Sequence, residues 1–148
     1  MSTGPEGGGR GDRPATPDDV DAICRGLPEV ELGISWGDRP TYKVPKGEKG
    51  RGFLLYRMPH PTAVDPNTGV MYDDLLVIVT PGEAQKQALV EDPTTPFFTI
   101  DHFRRTNAVL VRQSRLGELT RDELAEVITE AWAARAPKRL VKAYFADG

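Results

Sequence analysis

Apolar positions along this chain switch between two spacings, and each switch marks the end of an element. Val20, Ile23, Cys24 and Leu27 recur at helical spacing behind Thr16, Pro17 and Asp19, a near match to a capping box with proline at the first helical position. Pro28 ends that helix. From Val30 the period falls to two: Val30, Leu32, Ile34 and Trp36 alternate with Glu31, Gly33 and Ser35, which predicts a strand with one face on a core. Gly37-Asp38 turns the chain, Thr41–Val44 is a second strand, and Gly52–Arg57 a third. Between the last two, the glycines of Lys46-Gly47-Glu48-Lys49-Gly50 permit the positive φ values of a tight hairpin. Met58–Asp73 is rich in turn residues and reads as an extended hairpin loop.

Leu75–Val79 is apolar throughout, as a central strand covered on both sides requires. Thr80-Pro81-Gly82-Glu83 then reads as a full capping box with proline at the first helical position, followed by Ala84, Ala88 and Leu89 on one face. Pro93 and Pro96 break this helix, Phe97, Phe98 and Ile100 suggest a short buried stretch, and Ala108–Arg112 is another strand. Thr120 and Glu123 open a helix whose stripe is Leu124, Val127, Ile128, Ala131 and Trp132. After Pro137 a final helix carries Leu140, Val141, Tyr144 and Phe145. The order of helix, four strands, helix, strand and two helices predicts an α+β fold, an antiparallel sheet with helices packed on one face. Both tryptophans, Trp36 and Trp132, fall in phase with apolar stripes and read as core.

At 148 residues the chain suits one domain, over residues 16–148. Residues 1–15, dominated by Gly, Pro and charge, read as a disordered tail, and the Arg10-Gly11-Asp12 within it carries no weight. No apolar run approaches the roughly 20 residues that span a bilayer, and the amino terminus lacks the apolar core of a secretory signal. Cys24 is the only cysteine and sits on a core stripe. A soluble cytoplasmic protein without membrane association is the expectation.

Charge refines this picture. The chain holds 19 Lys+Arg against 22 Asp+Glu, a net of −3, yet its cations gather in three islands. The first is Arg39, Lys43, Lys46, Lys49, Arg51 and Arg57, on and beside the predicted hairpin. The second is Arg104, Arg105, Arg112 and Arg115. The third, around Lys138, Arg139 and Lys142, lies opposite the apolar stripe of the last helix, as in any amphipathic helix. Local positive charge of this kind attracts a polyanion. A lysine-bearing hairpin also serves to blunt a sheet edge.

Catalytic and metal chemistry find little to work with. His60 and His102 lie far apart with one cysteine, against the clustered ligands of a zinc site. Asp65, Asn67 and Gly69 lack the closing acid of a calcium loop and read as a turn. No glycine-rich phosphate loop follows a strand. Asp101 and His102, adjacent on extended chain, point to opposite sides and make no acid–base pair. Ser35 and Ser114 show no activating partner in the sequence. A non-enzymatic protein with no catalytic residue, cofactor or metal is the expectation.

Read end to end, residues 18–146 resemble the MmcQ/YjbR family. The first helix ends in Gly26-Leu27-Pro28-Glu29-Val30, followed by Ser35-Trp36-Gly37-Asp38-Arg39-Pro40-Thr41-Tyr42-Lys43-Val44 and by Leu75–Val79 entering the Thr80 segment. Phe97-Phe98, Ala108–Arg112, Glu130-Ala131-Trp132 and Ala136–Leu140 complete the match. The resemblance implies a fold similar to that of CyaY, the bacterial frataxin homologue. It also implies a DNA-binding role through paired hairpins that act as wings. Carried over by position, the wings fall on Lys43–Arg57 and on Arg104–Arg115, making Lys43, Lys46, Lys49, Arg51, Arg57, Arg104, Arg105, Arg112 and Arg115 the candidate contacts to duplex DNA. The 58–73 loop and Arg104-Arg105-Thr106-Asn107 depart from the family's pattern. Frataxin kinship suggests a second reading, an iron-binding or metabolic accessory protein with an acidic ridge at Asp18, Asp19, Asp21, Glu29 and Glu31. A third is a small-molecule pocket near Trp36, Tyr42, Tyr56 and His102.

Overall fold

Each strand pairs with its neighbours in sequence, because turn-forming residues separate consecutive apolar runs. The structure, a computed structural model, describes residues 13–35, 39–57, 64–100, 103 and 105–146. Its five strands are β1 (Glu31–Ser35), β2 (Arg39–Val44), β3 (Arg51–Arg57), β4 (Leu75–Val79) and β5 (Ala108–Arg112). They form one antiparallel sheet in the order β1-β2-β3-β4-β5. The helices are α1 (Pro17–Arg25), α2 (Glu83–Val90), α3 (Arg121–Arg135) and α4 (Lys138–Ala146), with a 3₁₀ turn at Gln113–Glu118. The fold is α+β, as the residue pattern predicts.

Strand register gives the sheet two distinct ends. Glu31, Val44, Arg51, Val79 and Ala108 lie at the end carrying the 45–50 hairpin. Arg57, Leu75 and Arg112 lie at the other, where α1 and α3 both begin. The first is called the hairpin end here and the second the capped end, because Thr120 and Glu123 form there the reciprocal capping box their spacing predicts.

Alternation along the strands divides the core. Tyr42, Val44, Leu54, Leu76, Ile78, Val109 and Val111 face α1 and α3, which bring Val20, Ile23, Cys24, Leu124, Ile128 and Trp132. A bulge inserts Phe53 between the paired positions 52 and 54, so that Phe53 and Leu54 are both buried. Trp132 is fully buried and donates its indole N–H to the Pro28 carbonyl at 2.9 Å. On the opposite face Leu75, Val77, Ala108 and Leu110 form a smaller cluster beneath Tyr72, Phe98, Ile100 and Phe103. Helices therefore cover one face and a loop the other. Phe97 joins the helix-side core and Phe98 exchanges two backbone hydrogen bonds with Leu110, so the stretch wraps the β5 edge.

Several expectations need correction. Order begins before Thr16: Ala15 N–H donates to the Leu119 carbonyl, Arg121 N–H to that of Arg13, and Ala15 is buried. Leu32 is 42% exposed, because β1 is an edge strand that the helices do not reach. Tyr144 packs on Trp132 at 5.1 Å between ring centroids, but it and Phe145 remain exposed. The Thr80 capping box does not form; α2 starts at Glu83, and the Thr80 hydroxyl donates to the carbonyls of Gly82 and Asn107. The buried residue of α2 is Lys86, 6% exposed, while Ala84 and Ala88 face solvent. Its ammonium donates to the carbonyls of Phe103 at 2.8 Å and Thr106 at 2.6 Å, backbone acceptors of the loop entering β5. Satisfying them keeps the charge buried, though desolvation lowers its pKa.

Candidate nucleic-acid interface

The turn between β2 and β3 carries the first basic island. Pro45 enters it, Gly47 holds φ at +99°, a left-handed conformation that favours glycine, and Gly50 N–H closes it on the Gly47 carbonyl at 3.1 Å. At Gly50 a side chain would stand 2.7 Å from the Pro45 carbonyl oxygen, so the turn requires glycine there too. Lys46 and Lys49 are exposed on this turn. The Glu31 carboxylate beside them accepts from the Gly47 amide at 3.0 Å and so holds the loop to β1.

Cations stand on both faces of this hairpin. Lys43 pairs across from Gly52 on the face away from α3, and its side chain runs over Gly33, where a Cβ would meet Cε at 3.2 Å. Arg51 pairs with Val44 on the helix side and lies close to Arg135, the last residue of α3. The pKa of Arg135 is lowered, first by burial and then by Arg51. Its Nε is buried without a hydrogen-bond partner. Exposed Lys138 and Arg139 of α4 follow at once, so the third island borders the first. Arg105 is exposed on the loop into β5, two strand spacings from β3, or about 10 Å.

The other expected contacts are elsewhere. Arg57 is only 5% exposed, with its guanidinium 5.2 Å from the centre of the Phe103 ring, and so leaves the surface set. Arg112 and Arg115 lie at the capped end, about 13 Å of strand away from the hairpin end. Arg112 Nε donates to Asp74 at 2.9 Å, and Arg115 donates to Glu118 at 2.6 and 2.9 Å. These bonds raise the pKa of both arginines. The second island is thus split between the two ends. The described part of 104–115 is a loop, a strand and the start of the 3₁₀ turn rather than a second hairpin. Arg104, Trp36 and His102 fall outside the described residues.

Nor do the acids of the supposed ridge form an open ligand set. Arg13 holds the Asp19 carboxylate at 2.6 and 2.8 Å, and its pKa falls to about 2, chiefly through that bond. Asp21 accepts from the Tyr42 hydroxyl at 2.5 Å and from Arg25 at 2.8 Å. Among the described residues no three His, Cys, Asp or Glu gather to hold a metal. Cys24 is fully buried in the core, and that burial pushes its thiol up to about 12, away from reactivity. Tyr42 and Tyr56 pack against each other at 6.2 Å within the core. No helix of the described residues is long and apolar enough to cross a membrane.

The YjbR family model matches residues 25–134. Uncharacterised proteins of Mycobacterium tuberculosis and Mycobacterium bovis are 42% identical over 144 residues, covering 90% of this chain and 98% of theirs. The crystal structure of Deinococcus radiodurans protein DR2400, with the domain DUF419, aligns at a TM-score of 0.52 and 19% identity. That alignment spans 80% of this chain and 76% of the other, and it carries the fold alone.

Proposed function

The chain belongs to the YjbR family, and from that premise we propose that it is a non-enzymatic protein that binds duplex DNA through the hairpin end of its sheet. The observation that carries this reading is the absence, among the described residues, of a carboxylate ion pair for Lys43, Lys46, Lys49, Arg51, Arg105 or Arg135. Glu31 and Glu48 offset part of this charge without forming an ion pair with it, and a phosphate backbone relieves the repulsion that remains. Cations on both faces of a projecting hairpin suit contact with phosphates on either side of a groove. The acidic balance of the whole chain keeps the attraction local.

Fluorescence anisotropy with a mixed-sequence duplex tests the reading. Six phosphate contacts, one for each of these cations, give log K a slope of about −5.4 against log salt. Joint reversal of Lys46→Glu and Lys49→Glu weakens binding at least about tenfold at low salt, because two contacts become repulsive. Arg112→Gln with Arg115→Gln leaves it unchanged. Lack of binding at low salt, or indifference to the hairpin reversal, sinks the reading.

A further inference from the structure

The capped end holds a second kind of site. Tyr72, Thr95, Phe98, Thr99, Arg112 and Arg115 line a cleft of about 710 Å³, within the range that small-molecule pockets occupy. The turn at 64–71, stabilised by the Asn67 amide donating to the Asp65 carboxylate at 2.7 Å, supplies its far wall. We propose that this cleft binds a planar aromatic monocarboxylate, with the carboxylate on Arg112 and Arg115 and the ring against Tyr72 and Phe98.

The two arginines are fixed from behind. Asp74 holds Arg112 by its Nε alone, and the Tyr72 ring lies 4.9 Å from the guanidinium carbon. Among the described residues Nη1 and Nη2 of Arg112 make no hydrogen bond, which leaves a fork matched to a carboxylate. Glu118 takes Nε and Nη2 of Arg115 and leaves Nη1. Because these side chains are already ordered, a ligand does not have to immobilise them. Tyr72 and Phe98 meet at 5.6 Å and 51°, an angled apolar wall on which a ring stacks face or edge.

Charge balance decides the class of anion. Asp74 and Glu118 offset the two arginines, and Asp65 lies near enough to raise the Arg112 pKa. The donors are directional while the net local charge is not positive, so the cleft takes a single carboxylate and rejects a polyanion. It is therefore independent of the DNA-binding surface, which lies at the opposite end of the sheet.

Titration of the whole chain with benzoate, followed by amide NMR shifts, tests the proposal. Benzoate is expected to shift Tyr72, Phe98 and Arg112 with a Kd of about 1 mM or tighter, as a ligand of this size allows. Benzamide, which shares the ring and lacks the charge, binds at least about tenfold more weakly. Arg112→Lys keeps a cation facing Asp74 and loses the fork, so affinity falls about tenfold. If that variant does not fold, Arg115→Gln decides, with an expected loss of about threefold. A saturating duplex leaves the benzoate shifts in place. Absence of benzoate shifts, equal binding of benzamide, shifts centred on Lys46 and Lys49, or unaltered affinity in the arginine variants overturns the proposal.

Discussion

At the capped end Arg13, Arg112, Arg115 and Arg121 each form an ion pair with a carboxylate, whereas at the hairpin end Lys46, Lys49, Arg51 and Arg135 form none among the described residues. The first group is tied into the places where helices start and where β5 turns away. Asp19 joins α1 to α3 through Arg13 and Arg121, and Asp74 joins β4 to β5 through Arg112 and the Ser114 amide. Those pairs secure the joints between elements. The second group joins nothing and leaves its charge to solvent or to a ligand. Equal residue types thus divide between holding the fold and facing outward, and pairing rather than charge count tells them apart.

Removing a carboxylate from the capped end gives the largest effect. Asp19→Ala strips bonds from Arg13, Arg121 and the Thr16 amide at a buried position and is expected to cost about 3 kcal/mol in urea unfolding. A loss below about 0.5 kcal/mol would erase the contrast between the ends, since surface substitutions also fall in that range. Acid makes the same point next. The Asp19 pKa is about 2 in the folded state, below its unfolded value of about 3.9, so its stabilisation is present above the unfolded value and lost as pH falls through about 2. That contribution is about 2 kcal/mol, and the urea midpoint should drop between pH 5 and pH 2 by more in the parent than in Asp19→Ala.

Smaller changes sharpen the comparison. Asp74→Ala leaves Arg112 half-buried without its carboxylate, for a loss of about 1 kcal/mol by the same measurement. Burial pulls the Asp74 pKa up, but the hydrogen bonds from Arg112 and Ser114 outweigh it and lower the net value, in keeping with a paired acid. Lys46→Glu with Lys49→Glu, by contrast, is expected to move stability by less than about 0.5 kcal/mol, because neither side chain is buried or paired. A large destabilisation there would make the hairpin cations structural after all.

The element order was legible because strand and helix periods differ and because Pro28, Pro93 and Pro137 separate the runs. Cys24 and Trp132 were read correctly as core from the same periods. An apolar stripe on α2 passes over Lys86, whose legible clue is its place at helical spacing before Leu89 and Val90, with a stem long enough to reach carbonyls. Arg57 reads as surface in the sequence because the ring of Phe103 that covers it comes from a distant loop. Which end of the sheet receives Arg105 and which receives Arg112 depends on register, a long-range property that no local spacing contains. The neighbourhood of Arg51 and Arg135 depends on how α3 lies across β3, and proximity in sequence gave no sign of it.

The nearest-neighbour order of the sheet also bears on how the chain assembles. Residues 31–112 contain the five strands of the described sheet; β1, β2 and β3 pair across short turns, whereas β4 and β5 pair only after a loop and α2 have been closed between them, a slower step. Helix α1 has no such shortcut. It packs on α3, and the residue after next beyond its carboxyl cap, Pro28, awaits the indole of Trp132. The apolar stripe of Val20, Ile23 and Leu27 is therefore fully covered only once α3 docks, with Trp132 lying 104 residues beyond Pro28 in the chain.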